Sequence, residues 1–152
     1  MAYAIVAQRE GNSTYRSRAL ALLEQAQRDA PEDTEVLLYL AELYRTGEQK
    51  DRAIPLYERA IAQDPSQLTA SVGLGGIRME RGQYREAIRL WQDALAKNAG
   101  LPLVRMNLAM AEWRIGDLRS AESNLEKVVD GNPGLAAAAE LLQRLRQTPR
   151  PR

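Results

Sequence analysis

Four glycines crowd the stretch SVGLGGIRMERG: Gly73, Gly75, Gly76 and Gly82. Glycines at that density suggest a loop that cradles phosphate, with backbone N–H groups and a helix N-terminus holding the anion. Such a loop needs a strand before it and a helix after it. Here no strand pattern precedes the glycines, and the first three lie within a helical apolar pattern. Nucleotide chemistry is not supported. Other chemistry fares no better. The chain has no histidine and no cysteine, so the commonest general base, the commonest zinc ligand and any thiol nucleophile are missing. Asp and Glu are numerous but scattered, without a pairing that suggests acid–base work. No catalytic residue, metal or cofactor is expected, and the chain reads as non-enzymatic.

Charge narrows the partners. Net charge is +1, with acids and bases interleaved, and all but Lys50, Lys97 and Lys127 of the 21 basic residues are arginine. No basic run suggests nucleic-acid binding. The arginine bias suggests a GC-rich, bacterial coding sequence. No apolar run is long enough to span a bilayer. The stretch MAYAIVAQREG has neither a basic leading region nor a cleavage site, so no signal peptide is expected in these residues, and the compartment is left open.

The elements that carry these residues repeat. Ala19, Ala53, Ala87 and Ala121 are spaced by 34 residues, and Leu23, Tyr57, Trp91 and Leu125 share that period. So do Ala26, Ala60, Ala94 and Val128, and Pro31, Pro65 and Pro133. Leu40, Leu74 and Leu108 are each followed by a small residue: Ala41, Gly75 and Ala109. Each unit reads as two helices, since apolar residues recur three and four apart in TEVLLYLAELYRTG and again in DRAIPLYERAIAQDP. Gly47, Gly82 and Gly116 punctuate the middle of the units. Pro55 is placed in about the first turn of its helix, where a missing N–H is tolerated.

The pattern of Leu40-Ala41, Tyr44, Gly47, Ala53, Tyr57, Ala60 and Pro65, with its echoes in the later units, resembles the tetratricopeptide repeat family, whose helix–turn–helix unit has 34 residues. Arg78 and Glu112 depart from it, standing where the family favours tyrosine. The resemblance implies an all-α solenoid of four such units in a right-handed superhelix. A single array is expected over 1–147, with units at about 1–33, 34–67, 68–101 and 102–135. A capping helix is expected at 135–147, with Leu135, Ala138, Leu142 and Leu145 facing inward, then a disordered tail at 148–152. No comparable lid covers the first helix, which suggests a segment cut from a longer array. Gly75 is expected where two helices approach closely. Gly73 and Gly76 remain costly, at about 1 kcal/mol each relative to alanine. Gly76 either leaves room for a ligand, forms a soft point, or reflects drift.

Family resemblance also implies a concave surface lined by the first helix of each unit, on which peptides or proteins bind. That surface comprises Leu38, Glu42 and Arg45 in the second unit, Val72, Gly76 and Met79 in the third, and Leu103, Met106, Met110, Trp113 and Arg114 in the fourth. In the first unit it includes Ala4, Gln8, Gly11 and Asn12. The lysines and asparagines with which some relatives hold acidic chaperone tails are absent. The fourth unit carries two apolar stripes on one helix. Val104, Leu108, Ala111 and Ile115 form the core stripe. Leu103, Met106, Met110 and Trp113 form a second, which a surface helix does not need. Either it lines a groove for a foreign amphipathic helix, or the final helix and its neighbours cover it. The leading reading is a scaffold that binds a peptide or helix. The alternatives are self-association by head-to-tail stacking through the uncapped first helix, and an accessory domain of a larger protein.

Overall fold

The structure, a computed structural model, describes residues 13–149; Ala4, Gln8, Gly11 and Asn12 lie outside them. Among the described residues there are eight helices and no strand. The chain divides into two compact units, Met1–Ile77 and Arg78–Arg152. The all-α expectation holds.

The first unit contains α1 (Ser13–Asp29), α2 (Thr34–Thr46), α3 (Lys50–Gln63) and most of α4 (Leu68–Glu80). Asp33 starts α2 by accepting a hydrogen bond from the Val36 N–H at 3.1 Å, which satisfies one of the free donors of the first turn. The periodic side chains meet inside: Ala19, Leu40, Ala41, Ala53, Tyr57, Ala60 and Leu74 are buried. Small residues let helices approach, and large ones fill the space between them.

Polar side chains tie these helices together. The Tyr44 hydroxyl donates to Glu24 Oε1 at 2.5 Å, and Arg52 donates to the same oxygen at 2.9 Å. The Arg52 guanidinium also lies 4.1 Å from the Tyr44 ring centroid, a cation–π distance. α1, α2 and α3 are thereby joined at one carboxylate. The Tyr44 hydrogen bond, with support from Arg52, holds Glu24 below the usual carboxylate range. Burial, then Glu24, pushes the Tyr44 hydroxyl up to about 12.

The turns show where the repeat register lies. Glu48, Gly82 and Gly116 have φ of 61°, 73° and 84°. They share the 34-residue period seen in the sequence. Gly47 punctuates its unit as expected, ending α2 with φ −92°, and its N–H donates to the Leu43 carbonyl. The left-handed position of that unit falls to a glutamate, whose Cβ crowds the backbone there at about 1–2 kcal/mol. Glu48→Gly is therefore expected to raise stability by up to about 1 kcal/mol, read as an upward shift of the urea midpoint. An unchanged midpoint would show that the turn carries no strain. Pro55 is the sixth residue of α3, a turn deeper than expected. Its ring is exposed, so it removes one helix hydrogen bond without displacing core atoms.

The second unit contains α5 (Tyr84–Lys97), α6 (Pro102–Arg114), α7 (Leu118–Gly131) and α8 (Ala136–Arg146). Proline at the first position of α6 gives up an N–H that had no partner in any case. Asp117 caps α7 by accepting from the Ser120 N–H at 3.1 Å. Ala87, Trp91, Leu108, Ala109, Ala121, Leu125 and Val128 are buried, and Ala138, Leu142 and Leu145 join them from α8. Ile115, expected in the core stripe, is 40% exposed, because α6 ends at Arg114 and the chain turns away at Ile115.

Candidate functional site

α6 sits between α5 and α7 and uses its first stripe, Val104, Leu108 and Ala111, for the core. Its second stripe meets three fates. Leu103 is 64% exposed. Met106 and Trp113 are half-buried and pack against a cluster of Ala109, Ala121, Leu125, Leu142 and Leu145. Met110 and Trp113 line a pocket of about 510 Å³ together with Met79, Arg114, Leu141 and Arg144. The end of α4, the last turns of α6 and one side of α8 thus converge. The volume lies within the range of about 300–1,000 Å³ that suits small ligands or a few side chains.

Four residues expected at the site are brought together here: Met79, Met110, Trp113 and Arg114. Leu103 and Met106 are not on its lining. Leu38, Glu42 and Arg45 lie half-buried on α2, and Val72 and Gly76 half-buried on α4. A Cβ added at Gly76 would meet nothing within 4 Å, so the space beside it is open.

The charged pair of α2 is already engaged. Arg45 Nη2 lies 2.7 Å from Glu42 Oε2, and the Tyr57 hydroxyl donates a very short hydrogen bond to the same carboxylate. Burial, then Glu42, pushes the Tyr57 hydroxyl up, and Glu42 raises the Arg45 guanidinium likewise. These groups brace the unit more than they advertise free charge.

Leu141 and Arg144 are the pocket residues that sequence reasoning missed. The heptad-like run AELLQRLR assigns Leu142 and Leu145 to the core, as found, and leaves Arg144 in solvent. Leu141 sits one residue from a core position, on the flank of the same face; that adjacency was its only signal.

α6 also carries a buried carboxyl. Glu112 is 4% exposed and accepts a hydrogen bond from Asn124 Nδ2 at 2.8 Å. Asn124 in turn accepts from Arg105 Nη1 at 3.2 Å, and Arg105 Nη2 donates to the Ala99 carbonyl at 3.1 Å. Burial raises the Glu112 carboxyl above its ordinary range, and Asp117 adds to the shift, against the opposing Asn124 bond. A carboxyl raised in the folded state favours its neutral form. Its contribution is therefore complete below the ordinary carboxyl pKa and is lost as pH rises through the folded value. Glu112→Gln keeps an acceptor for Asn124 without the charge. It is expected to raise stability at pH 7 by about 1 kcal/mol, or about 2–4 °C in Tm, and by less at pH 4. Paired melts of both proteins across that range check it; a lower Tm for the variant at pH 7 would mean that the charged form is the favoured one.

Family models described as tetratricopeptide repeat match residues 16–67 and, in two overlapping stretches, 48–104 and 78–145. The chain belongs to the tetratricopeptide repeat family. It is 30% identical over 127 residues to protein O-mannosyl-transferase TMTC1 of Mus musculus, a match covering 79% of this chain and 14% of the relative. It is 32% identical over 140 residues to cellulose synthase operon protein C of Xanthomonas axonopodis pv. citri (strain 306), covering 86% of this chain and 9% of that one. This tetratricopeptide chain therefore spans a small part of the length of both.

Among solved structures, MamA superposes with a TM-score of 0.85 at 19% identity, covering 95% of this chain and 82% of MamA. YrrB, a tetratricopeptide protein with an unusual peptide-binding site, superposes with a TM-score of 0.73 at 21% identity, covering 81% of this chain and 63% of YrrB. The first tetratricopeptide domain of Spaghetti (RPAP3), bound to the HSP90 peptide SRMEEVD, gives a TM-score of 0.71 at 19% identity, covering 75% of this chain and 90% of that domain. No helix among the described residues is long and apolar enough to cross a membrane.

Proposed function

We propose that this tetratricopeptide chain is a non-enzymatic scaffold that binds a peptide or amphipathic helix of another protein on the inner face of α6. The observation that carries the reading is the convergence of Met79, Met110, Trp113 and Leu141 on one open pocket. Methionines adapt to varied shapes, and a tryptophan supplies a broad, rigid contact, so the lining suits an apolar anchor from a partner. Peptide binding by YrrB and by the RPAP3 domain supports the same reading by likeness of fold. The mannosyl-transferase likeness does not carry an activity here, because the match covers 14% of that enzyme. The absence of histidine and cysteine from the sequence leaves no nucleophile–base pair of the usual kinds.

Met110→Glu tests it. The variant places a charge in the pocket and is expected to abolish peptide binding while far-UV circular dichroism stays unchanged. Trp113 offers the signal, since it is half-buried at the pocket while Trp91 is sealed in the core. A peptide that shifts the emission of the wild type and of Met110→Glu equally would place the site elsewhere.

A further inference from the structure

The pocket carries an unbalanced charge. Two of its six lining residues, Arg114 and Arg144, are guanidinium-bearing, and none is acidic. Both arginines are exposed and make no ion pair among the described residues. That sets them apart from the arginines that the fold uses. Arg45 is paired with Glu42, Arg52 with Glu24, Arg59 with Glu32 and Arg78 with Glu86. On α8 itself, Arg146 takes both Glu122 and Glu126 of α7, at 2.8 and 2.6 Å, and Arg144 is left facing the pocket. The whole chain is nearly neutral at +1, so the excess at the pocket is local.

We propose that the pocket takes a protein segment in which a bulky apolar side chain is flanked by Asp or Glu side chains. The inference rests on the reading above and adds the chemistry of the partner. The apolar side chain enters between Met79, Met110, Trp113 and Leu141. The flanking carboxylates meet Arg114 on α6 and Arg144 on α8, each of which offers a planar fork of donors suited to a carboxylate. Having the two arginines on different helices sets a spacing and a direction for the bound segment. A basic segment with the same anchor would bring like charges together and be rejected.

The test uses the full chain and three short peptides, acetylated and amidated at their ends, with identical Leu and Trp anchors and with Glu, Gln or Lys flanks. Binding of each peptide to the chain is read by calorimetry. The Glu peptide is expected to bind about tenfold or more tighter than the Lys peptide at low salt, the equivalent of about 1.4 kcal/mol, with the gap shrinking as salt rises. The double variant Arg114→Glu/Arg144→Glu, at two exposed positions, is expected to reverse the order. Equal affinities, or a Lys preference, with Met110→Glu still abolishing binding, would overturn the charge inference and leave the pocket reading standing. Failure of all three peptides to bind, with the Glu peptide failing also when its C-terminus is left free, would overturn both. Binding of the Glu peptide only with a free C-terminus would overturn the inference in favour of a chain-end carboxylate.

Discussion

Trp91→Ala is expected to cost about 3–5 kcal/mol, a large share of the ~5–15 kcal/mol that holds a domain of this kind together. Trp91 is 1% exposed and is the largest side chain fully enclosed in the core. Removing it leaves a cavity that the flanking small residues Ala87 and Ala94 cannot fill. The cost should not scale simply with the atoms removed, because the indole is imperfectly housed. Its Nε1 has no hydrogen-bond partner among the described residues. A buried donor left unpaired costs about 1–3 kcal/mol. Trp91→Phe removes that donor while keeping most of the ring, so the cavity term and the relieved donor offset, and the net change is expected within about 1 kcal/mol. The same column holds Tyr57 and Leu125, which are also fully buried, so it accepts several shapes. Urea titrations of the three proteins give the comparison. If Trp91→Phe were as damaging as Trp91→Ala, Nε1 would have to be satisfied in solution, by a water bound in the core.

The repeat was legible because its constraint is local and recurrent. Where two helices cross closely, only a small residue fits, and alanine returns at 19, 53, 87 and 121, each buried. The large partner at 23, 57, 91 and 125 is buried at the same register. Neither column depends on knowing the neighbouring unit. Features set by a single turn or crossing were harder. Glu48 takes a left-handed conformation that its type disfavours, and nothing about a glutamate announces it. Ile115 continues the apolar spacing of α6, yet the helix stops before it.

The candidate site was legible only in part, for a related reason. A surplus apolar stripe on α6 is visible as spacing, and Met110, Trp113 and Arg114 do line one pocket. How much of the stripe stays open depends on where α8 lies across it. Met106 and Trp113 pack against the cluster that Leu142 and Leu145 of α8 share with Ala109, Ala121 and Leu125, and α8 adds Leu141 and Arg144 to the pocket. That placement is a packing result, and no periodicity in α6 encodes it.

The glycines of α4 make a sharper case, since two changes of the same kind on one helix are expected to act in opposite directions. Gly76→Ala adds a Cβ into open space inside a helix, so it should stabilise by up to about 1 kcal/mol through helix propensity. Gly73→Ala places its Cβ 2.5 Å from Cζ of Tyr57 and 2.6 Å from its hydroxyl oxygen. A close approach thus lies at Gly73, two residues before the small-residue position Gly75, which is also buried. The Tyr57 ring is 0% exposed, and its hydroxyl is held by Glu42, which Arg45 holds in turn. The ring cannot retreat without breaking that hydrogen bond. Overpacking of about 1–3 kcal/mol and the loss of a charge-assisted bond of about 1.5–3 kcal/mol together outweigh the helix gain of about 1 kcal/mol. A net loss of at least about 1.5 kcal/mol is expected, a fall in Tm of several degrees. Tyr57→Leu shortens the obstructing side chain to the one that Leu125 already places in this column. In that background Gly73→Ala should lose its penalty and approach the behaviour of Gly76→Ala. The double-mutant cycle measures the coupling directly. Additive effects would mean that Tyr57 does not press on Gly73, and the glycine would then need another reason for its place in the helix.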